Sequence, residues 1–187
     1  MRYLMSIVML MAFVFGSLAV TAPSVLAEET TCRGTLNGRT VDNLRVPQNG
    51  NCTLNGTKVK GTIKVERGAT LQAKGVRVNG NVQAENHQSV SLVDSTIGGS
   101  VQFDQGGSFQ VNGNLVKGGV QVKTNNGSSQ ISSNTVSQDV QVFNHSTGIA
   151  ISGNQIDGNL QCKENTPTPT GGGNTVQGNK EDQCSSL

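Results

Sequence analysis

The sequence predicts an all-β fold: a single-stranded right-handed parallel β-helix, or solenoid, of about seven coils, each of roughly 19–20 residues. Three observations carry this. Val-Gln-Val or a near copy returns at a near-constant spacing, as Val82-Gln83-Ala84, Val101-Gln102-Phe103, Val120-Gln121-Val122, Val140-Gln141-Val142 and Leu160-Gln161-Cys162. Around each copy, β-branched apolar residues alternate with polar ones at period two, the mark of a half-buried strand. Between copies lie Gly, Asn and Ser clusters such as Thr124-Asn125-Asn126-Gly127-Ser128-Ser129, which read as turns, and no helical periodicity follows residue 27.

In chain order, residues 1–27 stand apart. Arg2 is followed by an apolar run over residues 4–20, then by Val25-Leu26-Ala27 and the acidic Glu28-Glu29. The run approaches the roughly 20 residues that span a bilayer, but the residues at 25–27 match what a signal peptidase reads. A signal peptide cleaved after Ala27 is expected, with a secreted or periplasmic destination and no membrane span afterwards. Residues 28–187 then form the β-helix domain.

The repeat units are 40–56, 57–75, 76–95, 96–114, 115–134, 135–154 and 155–174, with a partial unit from 175. In unit 115–134, Val116, Val120 and Val122 alternate with Lys117, Gly119 and Gln121, which predicts one strand over this stretch. A second short strand follows in each unit, at Leu71, Val90 and Leu92, Phe109 and Val111, Ile131, and Ile149 and Ile151, so that a unit holds two or three short strands. No unit can bury its apolar face alone, so neighbours must stack and share a core. A β-sandwich would not hold so constant a spacing. Parallel crossovers are overwhelmingly right-handed, and the six-residue repeat of left-handed hexapeptide helices is absent.

Stacking at about 4.8 Å per coil turns repeats into rows. Arg45, Lys64, Gln83, Gln102, Gln121, Gln141, Gln161 and Glu181 are expected to form one outward row. Asn114, Asn134, Asn154 and Asn174 are expected to form another, at a corner where Asn tolerates left-handed backbone. Stacked amides bond up and down such rows, so the fold alone accounts for both.

Cys32 and Cys52 lie about one coil apart near one end of the chain, and Cys162 and Cys184 about one coil apart near the other. Such a separation suits the roughly 4.4–6.8 Å between the Cα atoms of a disulfide. An even cysteine count in an exported chain points the same way, so Cys32–Cys52 and Cys162–Cys184 are the expected bonds. No Cys-x-x-Cys or nearby His supports a metal site. In the last full unit, Thr166-Pro167-Thr168-Pro169-Thr170-Gly171-Gly172-Gly173 is expected to replace the second strand rather than continue it.

The tail Gly158-Asn159-Leu160-Gln161-Cys162-Lys163-Glu164-Asn165, continued by Gly171-Gly172-Gly173-Asn174-Thr175-Val176-Gln177-Gly178-Asn179-Lys180-Glu181-Asp182-Gln183-Cys184, resembles the ending of small exported bacterial β-helix proteins. That resemblance implies a bacterial, extracytoplasmic protein and no particular activity.

Composition excludes more than it identifies. Aromatic residues are 3% of the chain and Trp is absent, so base-stacking platforms for nucleic acid are lacking. The net charge is +2, unevenly placed: residues 28–78 carry nine Lys or Arg against four Asp or Glu, and residues 79–187 carry four against eight. Pectate-type lyases share the right-handed β-helix, and their chemistry needs clustered carboxylates and a cationic base. Glu66, Glu85 and Asp104 are expected in one outward column beside the Gln row, with Lys64 near. Lys123, Phe143 and Lys163 continue that column as ordinary surface. His87 and His145 are expected as solvated turn residues about three coils apart, too distant to share a metal. No Ser/His/Asp arrangement appears.

The expectation is a non-enzymatic structural or adhesive protein of the cell envelope or extracellular space, monomeric and without cofactor. A polysaccharide or the envelope surface is the expected partner. The binding candidates are Gln83, Gln102, Gln121, Gln141 and Gln161, with Glu66, Glu85 and Asp104. The alternative is a polysaccharide-binding or lyase-like protein acting on acidic glycans.

Overall fold

A computed structural model describes residues 28–187, and the expected signal peptide, residues 1–27 with cleavage after Ala27, lies outside them. The chain winds through three parallel sheets, A, B and C, visiting them in turn. Sheet A has nine strands, from Glu29–Thr31 to Lys180–Asp182, and sheets B and C have eight each. Among the described residues there is no helix, and so none long and apolar enough to cross a membrane.

About eight turns are present, one more than the repeat predicts. The additional coil is the first: Thr30 pairs with Leu44, a shorter step along the chain than the one from Leu44 to its own partner, Ile63. Its strands carry Thr and Asn instead of Val-Gln-Val, so neither spacing nor composition betrays it. Later the step lengthens slightly, from the pair Val101 and Val120 to the pair Val120 and Val140. The added length enters in the turn between Val120–Lys123 and Ser129–Ser132.

The stretch around Val116–Val122 folds as two strands rather than one. Leu115–Val116 belongs to sheet C and Val120–Lys123 to sheet A. Period two survives the corner, because Val116, Val120 and Val122 all reach the interior at 0% exposure. At this coil the backbones approach closely: a Cβ on Gly118 would strike the Gly99 backbone one coil below, although Gln138 takes the same corner in the next coil. At the other end, Thr170–Gly172 does continue sheet B, pairing with Ile149–Ser152, so the insertion holds the last strand of that sheet. Gly171 and Gly172 take φ values of 128° and 141°, a conformation closed to residues with side chains, which is how a strand forms there.

The core is a narrow column of Val, Ile and Leu with two aromatic rings, Phe103 and Phe109, near its middle. Asn114, Asn134, Asn154 and Asn174 do not face outward but point into a corner of this core, 1–6% exposed. Each accepts the backbone N–H of the coil before it through Oδ1 and donates Nδ2 to a carbonyl of sheet B, as Asn134 does to Val111 at 2.8 Å. The left-handed backbone falls on the residue before, Gly113, Ser133, Gly153 or Gly173, and so turns the amide inward. A buried corner exposes carbonyls and N–H groups that apolar side chains cannot satisfy, and the amide satisfies both.

His87 and His145 are likewise buried, at 3% and 1% exposure, not solvated. Their rings pack at the ends of the aromatic pair, His87 at 5.4 Å from Phe103 and His145 at 6.0 Å from Phe109. Cys32 is bonded to Cys52 and Cys162 to Cys184, with Cα separations of 5.5 and 5.2 Å. Two disulfides and no free cysteine among the described residues fit an oxidising, extracellular or periplasmic environment.

Candidate functional site

Alternation sends every second residue of sheet A to the outside, and parallel register aligns those residues coil over coil. Arg45, Lys64, Gln83, Gln102, Gln121, Gln141, Gln161 and Glu181 form one unbroken row. Two positions on, Glu85, Asp104, Lys123, Phe143 and Lys163 form a second. Between and beside these rows the surface dips. One depression of about 320 Å³ is lined by residues including Lys64, Gln83, Glu85, Gln102, Asp104 and Lys123. Another, of about 350 Å³, lies around Lys123, Phe143 and Lys163. A third, of about 170 Å³, opens on the other side of the Gln row, at Gln102, Gln121, Gly119, Asp139 and Gln141. From the coil of Lys64 to that of Lys163 the three together run for roughly 24 Å along the axis, at about 4.8 Å per coil.

Side-chain bonds tie most of the Gln row. Gln83 donates to Gln102 at 2.8 Å, Gln121 to Gln141 at 3.3 Å, Gln141 to Gln161 at 2.7 Å and Gln161 to Glu181 at 2.9 Å. Among the described residues no such bond joins Gln102 to Gln121, so Gln102 Nε2 and Gln121 Oε1 face the surface without a protein partner. A second ladder follows the adjoining corner, where Asn43, Thr62, Asn81 and Ser100 each accept the N–H of the coil above. It lapses at Gly119, which has no side chain to offer Asp139, and resumes with Asp139 and Asn159. The missing side chain leaves the smallest depression.

The acidic column is less of a cluster than its spacing implies. Glu66 is drawn toward the first coils: it lies 3.5 Å from Arg45 and accepts the Gln48 N–H at 3.0 Å. Glu85 and Asp104 pair side by side in the register, and Asp104 Oδ1 is buried without a partner. Among the described residues no group of three His, Cys, Asp or Glu is arranged to hold a metal ion.

No family model, curated protein or solved structure matches the chain. Its chemistry therefore has to be read from this face.

Three lysines, Lys64, Lys123 and Lys163, line the two depressions along the second row, against three carboxylates, Glu85, Asp104 and Glu164. That balance gives no net attraction for a polyanion. Six of the eight expected binding residues line the depressions, namely Gln83, Gln102, Gln121, Gln141, Glu85 and Asp104. Gln161 is tied into its ladder, and Glu66 turns away. Phe143 escaped notice as a site residue because it stands at a position held elsewhere by charged side chains. Strict alternation from Gln141 places it outward, and it is the half-buried aromatic of this face.

The imidazoles offer no surface chemistry. Burial pushes His87 down to about 4, with the Ser108 backbone working weakly the other way, and neither ring nitrogen has a hydrogen-bond partner. Burial lowers His145 as well, against a weaker effect of the Gly127 backbone. Both are neutral fillers of the core at neutral pH.

Proposed function

We propose that this protein is an exported, non-catalytic adhesive module that holds an extended polymer at the cell envelope or outside it through the outer face of sheet A. One observation carries the reading: three neighbouring depressions, which share Gln102, Gln121 and Lys123 as lining residues, lie along this face on either side of the Gln row, lined by amide, lysine and carboxylate side chains. A linear ligand can contact six successive coils there. The rigidity of stacked coils keeps those contacts in fixed register, which lowers the ordering cost of binding. Export fits the leader-like residues 1–27 with cleavage after Ala27, the resemblance of the tail to exported bacterial β-helix proteins, and the two disulfides.

The test is co-sedimentation of the purified protein with insoluble envelope polysaccharide, comparing variants of two faces. Substituting Gln83, Gln121 and Phe143 by Ala together is expected to abolish retention. Substituting Thr96, Thr135 and Gln155 on sheet C is expected to leave it unchanged. Equal retention by both sets overturns the assignment of this face.

The lyase-like reading has one observation in its favour, the adjacent Glu85 and Asp104 with Lys123 beside them. Ultraviolet-absorbing unsaturated products formed from an acidic glycan, and lost in Glu85→Gln or Asp104→Asn, would establish it against the adhesive one.

A further inference from the structure

The adhesive reading leaves the ligand's chemistry open, and the open rung of the Gln row narrows it. Gln102 presents an unpaired donor, Nε2, and Gln121, one coil on, an unpaired acceptor, Oε1, while the neighbouring Gln rungs 83–102 and 121–141 are closed. A ligand group that bridges them must accept from one and donate to the other. A secondary amide does both. Beside this rung, in the next column and one coil further along, stands the half-buried Phe143 ring, with Lys123 and Lys163 as its register partners. A shallow depression around an aromatic ring suits a flat group with one apolar face and a polar edge, which is the shape of a pyranose. Across the three depressions three lysines stand against four carboxylates, Asp139 beside the open rung included, a near balance that favours a ligand without strong net charge.

We propose that the gap between Gln102 and Gln121, together with Phe143, is a subsite for an N-acetylated glycan. The acetamido C=O accepts from Gln102 Nε2, its N–H donates to Gln121 Oε1, and an adjoining sugar ring lies on Phe143. A peptide also carries secondary amides, but it pairs most readily along a sheet edge. Here the amides project from the outer face of sheet A, between strands already paired on both sides.

This proposal rests on sheet A being the adhesive face, and isothermal titration with three soluble probes separates the two. The probes are a hexamer of N-acetylglucosamine, a glucose hexamer of the same linkage and a mannose hexamer, and an acetylated peptide is titrated beside them. The N-acetylated hexamer is expected to bind at least tenfold tighter than either of the others. Gln102→Glu, which keeps the shape but removes the donor, is expected to weaken it about tenfold, the scale of one net hydrogen bond. Gln121→Glu keeps an acceptor and is expected to cost less than Gln102→Glu. Phe143→Ala is expected to weaken all three probes, with thermal melting checking that each variant folds.

Equal affinity for the acetylated and unacetylated hexamers, weakened alike by Phe143→Ala, overturns the acetamido assignment and leaves the adhesive face standing. Tight binding of an acetylated peptide with no glycan bound overturns it in favour of a peptide ligand. Glycan binding that no substitution on this face weakens overturns both readings.

Discussion

The ring of His87 fills the space beneath Gly106 of the next coil, where any side chain on Gly106 would have to sit. The two residues occupy one inward corner column that passes on to Asn125, His145 and Asn165. Asn125 accepts the Gly106 N–H, and Asn165 accepts the His145 N–H, each at 2.9 Å. His87 and Gly106 thus form a large–small pair in a column that continues with two amides, Asn125 and Asn165, and a second imidazole, His145.

Gly106→Ala is expected to destabilise the protein by about 1–3 kcal/mol, the usual cost of overpacking a filled core. Combining it with His87→Ala should recover part of the loss relative to the sum of the single changes, because the Cβ then enters vacated space. Urea unfolding of the four proteins in the cycle measures this. Additive losses would mean that the ring and the glycine are not in contact.

His87 also makes stability depend on pH. In the unfolded chain its imidazole takes up a proton near pH 6.5, whereas in the folded protein burial holds this back to about pH 4. Between those values only the unfolded chain gains the proton, so stability falls as the pH drops from about 6.5 to about 4 and levels off below. The full drop is about 3 kcal/mol for this one group. His145, lowered in the same sense by burial, steepens the decline. His87→Phe, which restores an apolar ring beside Phe103, is expected to flatten the slope in denaturation series across this range. An unchanged slope would show that the imidazole is solvated.

Amides that look alike in sequence should differ in weight. Asn134→Ala removes the acceptor of the Asn114 N–H and the donor to the Val111 carbonyl, both buried. Two stranded backbone groups cost about 2–5 kcal/mol together. Gln141→Ala removes two outward side-chain bonds from groups that water can satisfy, and is expected to cost under about 1 kcal/mol. Thermal melts of the two variants test the contrast, and comparable losses would contradict it.

Replacing Cys32 and Cys52 together by Ser is expected to cost about 3 kcal/mol by the chain-entropy estimate for a loop of this size. Coils of a solenoid contact only their neighbours, so the loss should concentrate at the first coils. Hydrogen exchange is expected to speed up in Thr35–Asn37 and Asn51–Asn55 and to stay slow in Val120–Lys123.

Much of the architecture was legible from spacing alone. A near-constant repeat length with alternation at period two has few ways to bury Val120 and Val122 except by stacking, and the Gln row follows at once. Turns were less legible, because their residues are polar whether they face water or the core. Asn134 and His145 both read as exposed, and both are buried. Their fate is set by a neighbour in another coil, a carbonyl for one and an aromatic ring for the other, which no local pattern records. The face of sheet A divides the same way. Alternation assigns Gln102, Gln121 and Phe143 to the outside, but which rung stays open depends on side-chain geometry across coils.

By itself, then, the sequence determined the class of fold, the outward Gln row and the pairing of cysteines one coil apart, because each depends only on period and parity along the chain. The tertiary structure decided the extra first coil, the inward turn of Asn114, Asn134, Asn154 and Asn174, the burial of His87 beneath Gly106, and the unpaired amides of Gln102 and Gln121. These depend on what lies directly above and below in the stack, where a missing side chain such as that of Gly106 or Gly119 matters as much as a present one.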